Sequence, residues 1–115
     1  MDYKIVIDAG HGGVDSGAVG NGIVEKDLTL KISNYIYDRL KKAGLDVYST
    51  RTSDETLTPD ERVNRVLGAY GDDSNVIVIS NHINAGKGDG AEVIYALRNN
   101  DTLSNLILNE LSKEG

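Results

Sequence analysis

Apolar and polar positions follow two different rhythms along this chain. Ile5, Val6 and Ile7 form one unbroken apolar run, and Val76-Ile-Val-Ile79 forms another. Short runs of this kind suit strands buried on both faces rather than strands with one wet face. Between them the spacing changes. Leu28, Ile32, Tyr35, Ile36 and Leu40 recur at the three- and four-residue steps of an amphipathic helix. The pattern predicts a strand over Tyr3–Asp8, a glycine-rich loop over 9–24 and a helix over Lys26–Ala43 that Gly44 stops. A second strand is predicted over Leu45–Thr50.

Further along, Thr58, Pro59 and Glu61 spell a helix start. The threonine caps, the proline takes the first turn, and the glutamate sits three residues after the cap. That helix is expected to run to Leu67 or Tyr70. Strands follow over Asn75–Ser80 and Glu92–Leu97, and a last helix over Thr102–Lys113. Strands alternating with helices, the strands continuously apolar, predict an α/β fold: a mostly parallel sheet with helices on both faces. No repeat, linker or low-complexity segment interrupts it, so residues 1–115 read as a single domain.

Composition narrows the function more than the fold. The net charge of −6 argues against a general nucleic-acid binder, which needs clustered Lys and Arg. The most basic stretch, Arg39-Leu-Lys-Lys42, falls at a predicted helix C-terminus, where it complements the dipole. The chain has no cysteine, which excludes disulfides, thiol catalysis and thiolate metal sites. No apolar run approaches a membrane span, so no membrane insertion is expected. Met1-Asp-Tyr-Lys4 leads straight into a strand, with no signal peptide visible.

The chemistry gathers at predicted strand ends. His11 follows the first strand and His82 follows the third, and the chain has 2 histidines in all. In open α/β sheets, binding crevices lie outside the carboxyl ends of the strands. If these strands are parallel neighbours, both imidazoles enter one crevice. Glu25, at the start of the following helix, is a third donor. His, Glu and His suit Zn²⁺ and leave a coordination position open, as catalytic zinc sites do. On position alone Glu25 serves equally well as a helix N-terminal acid. Gly10, Gly12 and Gly13 let the backbone take conformations closed to other residues and let a partner approach. Asp8 and Asp15 are candidates to accept a hydrogen bond from His11 and orient it, or else turn formers. A phosphate loop is disfavoured. The G-x-G-x-x-G spacing fails, no G-K-[ST] follows, and two acids, Asp15 and Glu25, come before the first cation, Lys26.

"VIDAGHGGVDSGAVGNGIVEKDL", "VYSTR", "VIVISNHINAG" and "GAEVIY" together resemble the zinc-dependent N-acetylmuramoyl-L-alanine amidases of bacterial cell walls and phage endolysins. The similarity runs from Tyr3 to about Tyr95 in the family's order. The resemblance implies zinc held by His11, Glu25 and His82. It implies peptidoglycan as substrate, cut at the amide between N-acetylmuramic acid and L-alanine, with action at the bacterial cell wall. The third motif departs slightly, with Asn81 before His82 and Ile83 after it. The family's catalytic glutamate lies on a later strand, and no residue after Tyr95 sits in such a motif. The chain is therefore expected to be the N-terminal part of the domain, with the glutamate beyond Gly115. Glu92 belongs to the "GAEV" strand, and nothing in the match makes it that acid. Two other readings share this pattern: a zinc exopeptidase acting on ordinary peptides, and a non-catalytic wall-binding module that keeps the fold.

Overall fold

The computed structural model describes residues 2–83 and 101–114. Its elements run β1 (Lys4–Ala9), β2 (Val19–Gly20), β3 (Ile23–Val24), α1 (Glu25–Lys42), β4 (Asp46–Ser49), α2 (Pro59–Tyr70), β5 (Val76–Asn81) and α3 (Thr102–Ser112). Two compact units contain them. Residues Met1–Ala85 hold everything but α3, which lies in Gly86–Gly115. The strand expected over Glu92–Leu97 falls outside the described residues.

β1 is the middle of a three-stranded parallel sheet in the order β4-β1-β5. Its unbroken apolar run is explained by that position, because both of its faces are covered. Val6 and Ile7 are fully buried. Ile5 and Ile7 point to one face, where they meet Val47, Ile79 and the Ile36, Tyr37 and Leu40 side chains of α1. Burying a side chain of this size contributes about 1.5–3 kcal/mol. Val6 and Asp8 point to the other face, where Arg62 of α2 reaches Asp8. The two helices thus cover opposite faces of the sheet, the α/β arrangement that the apolar pattern predicts.

The helix ends follow from local chemistry. α1 stops in a Schellman turn, with Gly44 at a positive φ of 85°. Its N–H donates to Lys41, and the N–H of Leu45 donates to Leu40. Arg39, Lys41 and Lys42 stand in the last turn, beside the unpaired carbonyls. α2 opens with the expected capping box. The Thr58 hydroxyl accepts from the Glu61 N–H, and the Glu61 carboxylate accepts from the Thr58 N–H.

Two expectations are revised. The glycine-rich segment is not all loop, since β2 and β3 form a small antiparallel hairpin within it. Its turn residues, Asn21 and Gly22, both have positive φ, at 52° and 77°, as a type I′ turn requires. The second revision concerns β5, which is not buried on both faces. Val78 is 49% exposed. It lies beside Val6 on the α2 face, and α2 packs over β1.

Candidate metal centre

β1 and β5 are parallel neighbours with Ala9 opposite Asn81, so their carboxyl ends finish level. The Gly10 N–H donates to the Asn81 carbonyl at 3.0 Å and carries the pairing one step further. His82 directly follows β5, and His11 lies two residues beyond β1. His11 has a φ of 64°, a left-handed conformation rare for a residue with a side chain. Its surroundings hold it there. Arg62 donates to the His11 carbonyl at 2.9 Å. Gly12 and Asp15 exchange backbone hydrogen bonds of 2.8 and 3.1 Å, folding the loop back so that Asp15 faces His11.

His11 Nε2 lies 3.1 Å from Oε2 of Glu25, and His82 Nδ1 lies 3.4 Å from the same oxygen. The two imidazoles stand edge to face, with centroids 5.1 Å apart. One donor atom from each of the three residues lies within 4.8 Å of the others. The other ring nitrogen of His11, Nδ1, is 2.9 Å from Oδ2 of Asp15. With Nδ1 donating to Asp15, Nε2 is the nitrogen left to offer a lone pair to a metal at the centre.

Glu25 is the anionic centre of the group and is 4% exposed. Burial opposes its charge. Backbone N–H groups outweigh that, Ala18 donating to Oε1 at 3.0 Å and Ile83 to Oε2 at 2.8 Å. With the two histidines adding to them, they hold its carboxyl below the usual range. The buried carboxylate with two imidazole nitrogens beside it favours a cation in this small volume, carried as protons on the rings or as a metal ion held between the three donors. Nitrogen and oxygen donors in this number fit zinc.

Glycines make room for the cluster: Gly10, one of the three that the loop pattern singles out, and Gly17, which it does not. A β-carbon on Gly10 would come within 2.5 Å of the His82 ring. On Gly17 it would come within 2.7 Å of His11 and 2.9 Å of Oε1 of Glu25, and Gly17 also has a φ of 67°. Gly12 and Gly13 lie elsewhere. Gly12 packs on Arg51 and the Glu55 backbone, and Gly13 on Thr56.

The two aspartates differ in what they touch. Asp15 meets His11, while its other oxygen accepts from the Gly17 N–H at 3.1 Å. The His11 bond, then the Gly17 bond, lowers its pKa. Asp8 has its hydrogen bonds away from His11, with Thr50 at 2.7 Å, Arg62 at 2.6 Å and Ser80 at 2.6 Å. Burial pushes the Asp8 carboxyl up, but these three donors together bring it below the usual range. Asn81 turns to α1 and donates to the Ser33 hydroxyl at 3.0 Å.

Sequence reasoning missed Arg51, Arg62 and Thr29. Arg51 is almost completely buried, and its guanidinium donates to the carbonyls of Ala9, Gly10, Lys26 and Ser53. Burial first, then the nearby Arg62, draws its pKa down. Thr29 donates to the Gly10 carbonyl at 2.8 Å. One signal was available. Arg51 comes just past the end of a strand, the same placement that marks the two histidines.

Comparison with known proteins places this geometry. Residues 5–115 match the family described as N-acetylmuramoyl-L-alanine amidase. The uncharacterized protein YqiI of Bacillus subtilis is 44% identical over 82 residues, which cover 71% of this chain and 38% of that protein. The sporulation-specific N-acetylmuramoyl-L-alanine amidase of the same organism is 41% identical over 91 residues, covering 77% of this chain and 34% of that one. The CwlD amidase from Clostridioides difficile, solved in complex with the GerS lipoprotein, superposes with a TM-score of 0.82 at 27% identity. That match covers 97% of this chain and 66% of CwlD. The chain therefore spans little more than a third of these two curated relatives, and it belongs to the N-acetylmuramoyl-L-alanine amidase family.

Proposed function

We propose that this chain carries the zinc-binding part of a peptidoglycan hydrolase. The enzyme would act at the bacterial cell wall and cut the amide between N-acetylmuramic acid and the L-alanine of the stem peptide. The observation that supports this is the convergence of His11, Glu25 and His82 at the carboxyl ends of two neighbouring strands. The family's name supplies the bond.

His11, Glu25 and His82 would hold the metal. Zinc, when bound there, supplies Lewis-acid polarisation of the scissile carbonyl and activation of water. The chain's own residues do the rest. Asp15 would accept the Nδ1 proton of His11 and so orient Nε2 toward the centre. Glu25 supplies the negative charge, kept ionised by two backbone donors. Gly10 and Gly17 let the histidines and the carboxylate approach one another.

Proton transfer needs a separate group, positioned to take a proton from water and deliver it to the leaving amine. Among the described residues, the carboxylates beside the site are engaged. Glu25 faces both histidines, Asp15 holds His11, and Asp8 is bound by Thr50, Arg62 and Ser80. The acid/base is proposed to be a carboxylate outside them. Glu92 lies outside the described residues.

The test is an assay of new amino termini. Zinc-loaded protein assayed as the whole amidase domain, with the acid/base carboxylate included, should release N-terminal L-alanine amines from purified cell walls, the 115-residue chain alone should release far fewer, and His82→Ala should abolish the release. Release of terminal amino acids from ordinary linear peptides, with none from walls, would replace this reading with an exopeptidase.

A further inference from the structure

Arg51 is a buried cation whose partners are not anions. It is 2% exposed, and none of the ion pairs found among the described residues involves it. Its guanidinium faces backbone carbonyls instead. Nε donates to Ala9 at 3.2 Å and Nη1 to Ser53 at 3.0 Å. Nη2 reaches Gly10 at 3.0 Å and Lys26 at 2.9 Å. Gly10 adjoins His11 and packs against the His82 ring, while Lys26 adjoins Glu25. One nitrogen therefore ties together the backbone beside His11 and the backbone beside Glu25.

The surroundings are shaped around this tie. Thr29, fully buried, places its hydroxyl 3.2 Å from Arg51 Nη2 and donates it to the Gly10 carbonyl at 2.8 Å. A β-carbon on Gly12 would lie 2.8 Å from Arg51 Nε, so the glycine leaves the guanidinium its space. Desolvating a guanidinium without a counter-charge is costly, and apolar filling of the same volume is often at least as stable. What a planar five-donor fork offers, and neither an apolar side chain nor a lysine does, is a fixed spacing between several acceptors. Ligand sets need such spacing, because displacements of about half an ångström already degrade a site.

We propose that Arg51 is the positioning residue of the metal centre, setting the separation of His11 from Glu25 by joining the carbonyls of Gly10 and Lys26. This rests on the metal reading given above.

The experiment measures zinc affinity by competition with a chromophoric chelator, alongside thermal melting of the metal-free protein. Arg51→Gln and Arg51→Lys should each weaken zinc binding by about 10- to 100-fold, the usual loss when a partner behind the ligands is removed. Lysine keeps the charge but not the fork, so it should not restore affinity. Val47→Ala, a core truncation remote from these hydrogen bonds, should lower the melting temperature yet leave zinc affinity unchanged. Should the Arg51 variants fail to fold, Thr29→Val removes the hydroxyl that meets Arg51 and the same Gly10 and Lys26 carbonyls and should still weaken zinc by about 10-fold. Wild-type affinity in folded Arg51→Lys, or in Thr29→Val, overturns the proposal. A parallel loss of affinity in Val47→Ala also overturns it, because stability alone would then explain the effect. Absence of zinc from the wild type overturns the metal reading and this inference together, whereas zinc in the wild type with unchanged affinity in the variants overturns this inference alone.

Discussion

Gly10 and His82 are packed so closely that a β-carbon on the glycine would lie 2.5 Å from Cε1 of the imidazole and 2.7 Å from Nδ1. The Asn81 carbonyl, 2.8 Å away, closes the same space from the backbone side. Gly10 is not among the residues with positive φ, so the constraint is steric contact rather than backbone conformation. Gly10→Ala should therefore push His82 off its position and cost zinc affinity by about 10-fold or more, with little change in helix content. Zinc titration and circular dichroism on the same samples check this. Unchanged affinity would mean that the ring has free space to move into.

Asp15 touches the centre through its contact with His11. Asp15→Ala removes the acceptor that holds the Nδ1 proton, so the ring loses both its tautomer preference and its orientation. Zinc affinity should fall by about 10- to 100-fold. Asp15 is largely exposed, so the melting temperature of the metal-free protein should barely move. A large stability loss with intact zinc binding would assign Asp15 to the loop fold alone.

Asp8 should show the opposite signature, in stability and in pH dependence. Its folded pKa lies below the ordinary value, because the bonds from Ser80, Thr50 and Arg62 outweigh burial. A lowered folded pKa means a contribution present above the unfolded value, about 3.9, and lost as pH falls through the folded one. Asp8→Asn should therefore cost about 3 kcal/mol at neutral pH, the penalty for stripping one partner from a buried ion pair. The gap between variant and wild type should narrow as pH drops below about 4. Urea unfolding of metal-free protein at neutral and acid pH measures it. A gap independent of pH would remove the charge from the explanation.

Much of this architecture is legible in the chain because the signals are local. The Ile5-Val6-Ile7 run announces a central strand, and the Thr58 capping box marks the start of α2. The hairpin at Asn21-Gly22 had a local signal too, the dipeptide of a tight turn, but glycines on all sides masked it. His11 and His82 stand out because strand ends of an α/β sheet are where crevices form. Arg51 and Arg62 are different. In sequence they read as a polar loop residue and one charge on a polar helix. Their roles come from contacts 41 and 51 residues away, with Gly10 and His11. Long-range burial of that kind leaves no periodic trace. The same holds for Asp8, whose position in the chain suggests His11 as partner while the sheet turns it toward α2.

His11, Glu25 and His82 are proposed to hold zinc together. Metal analysis of the purified chain after zinc loading and removal of free metal tests it most directly, with His11→Ala, Glu25→Ala and His82→Ala compared to wild type at matched folded fraction. Near-stoichiometric zinc is expected in the wild type, and its loss in each of the three variants. Equal zinc in wild type and variants, or none in any of them, would contradict it.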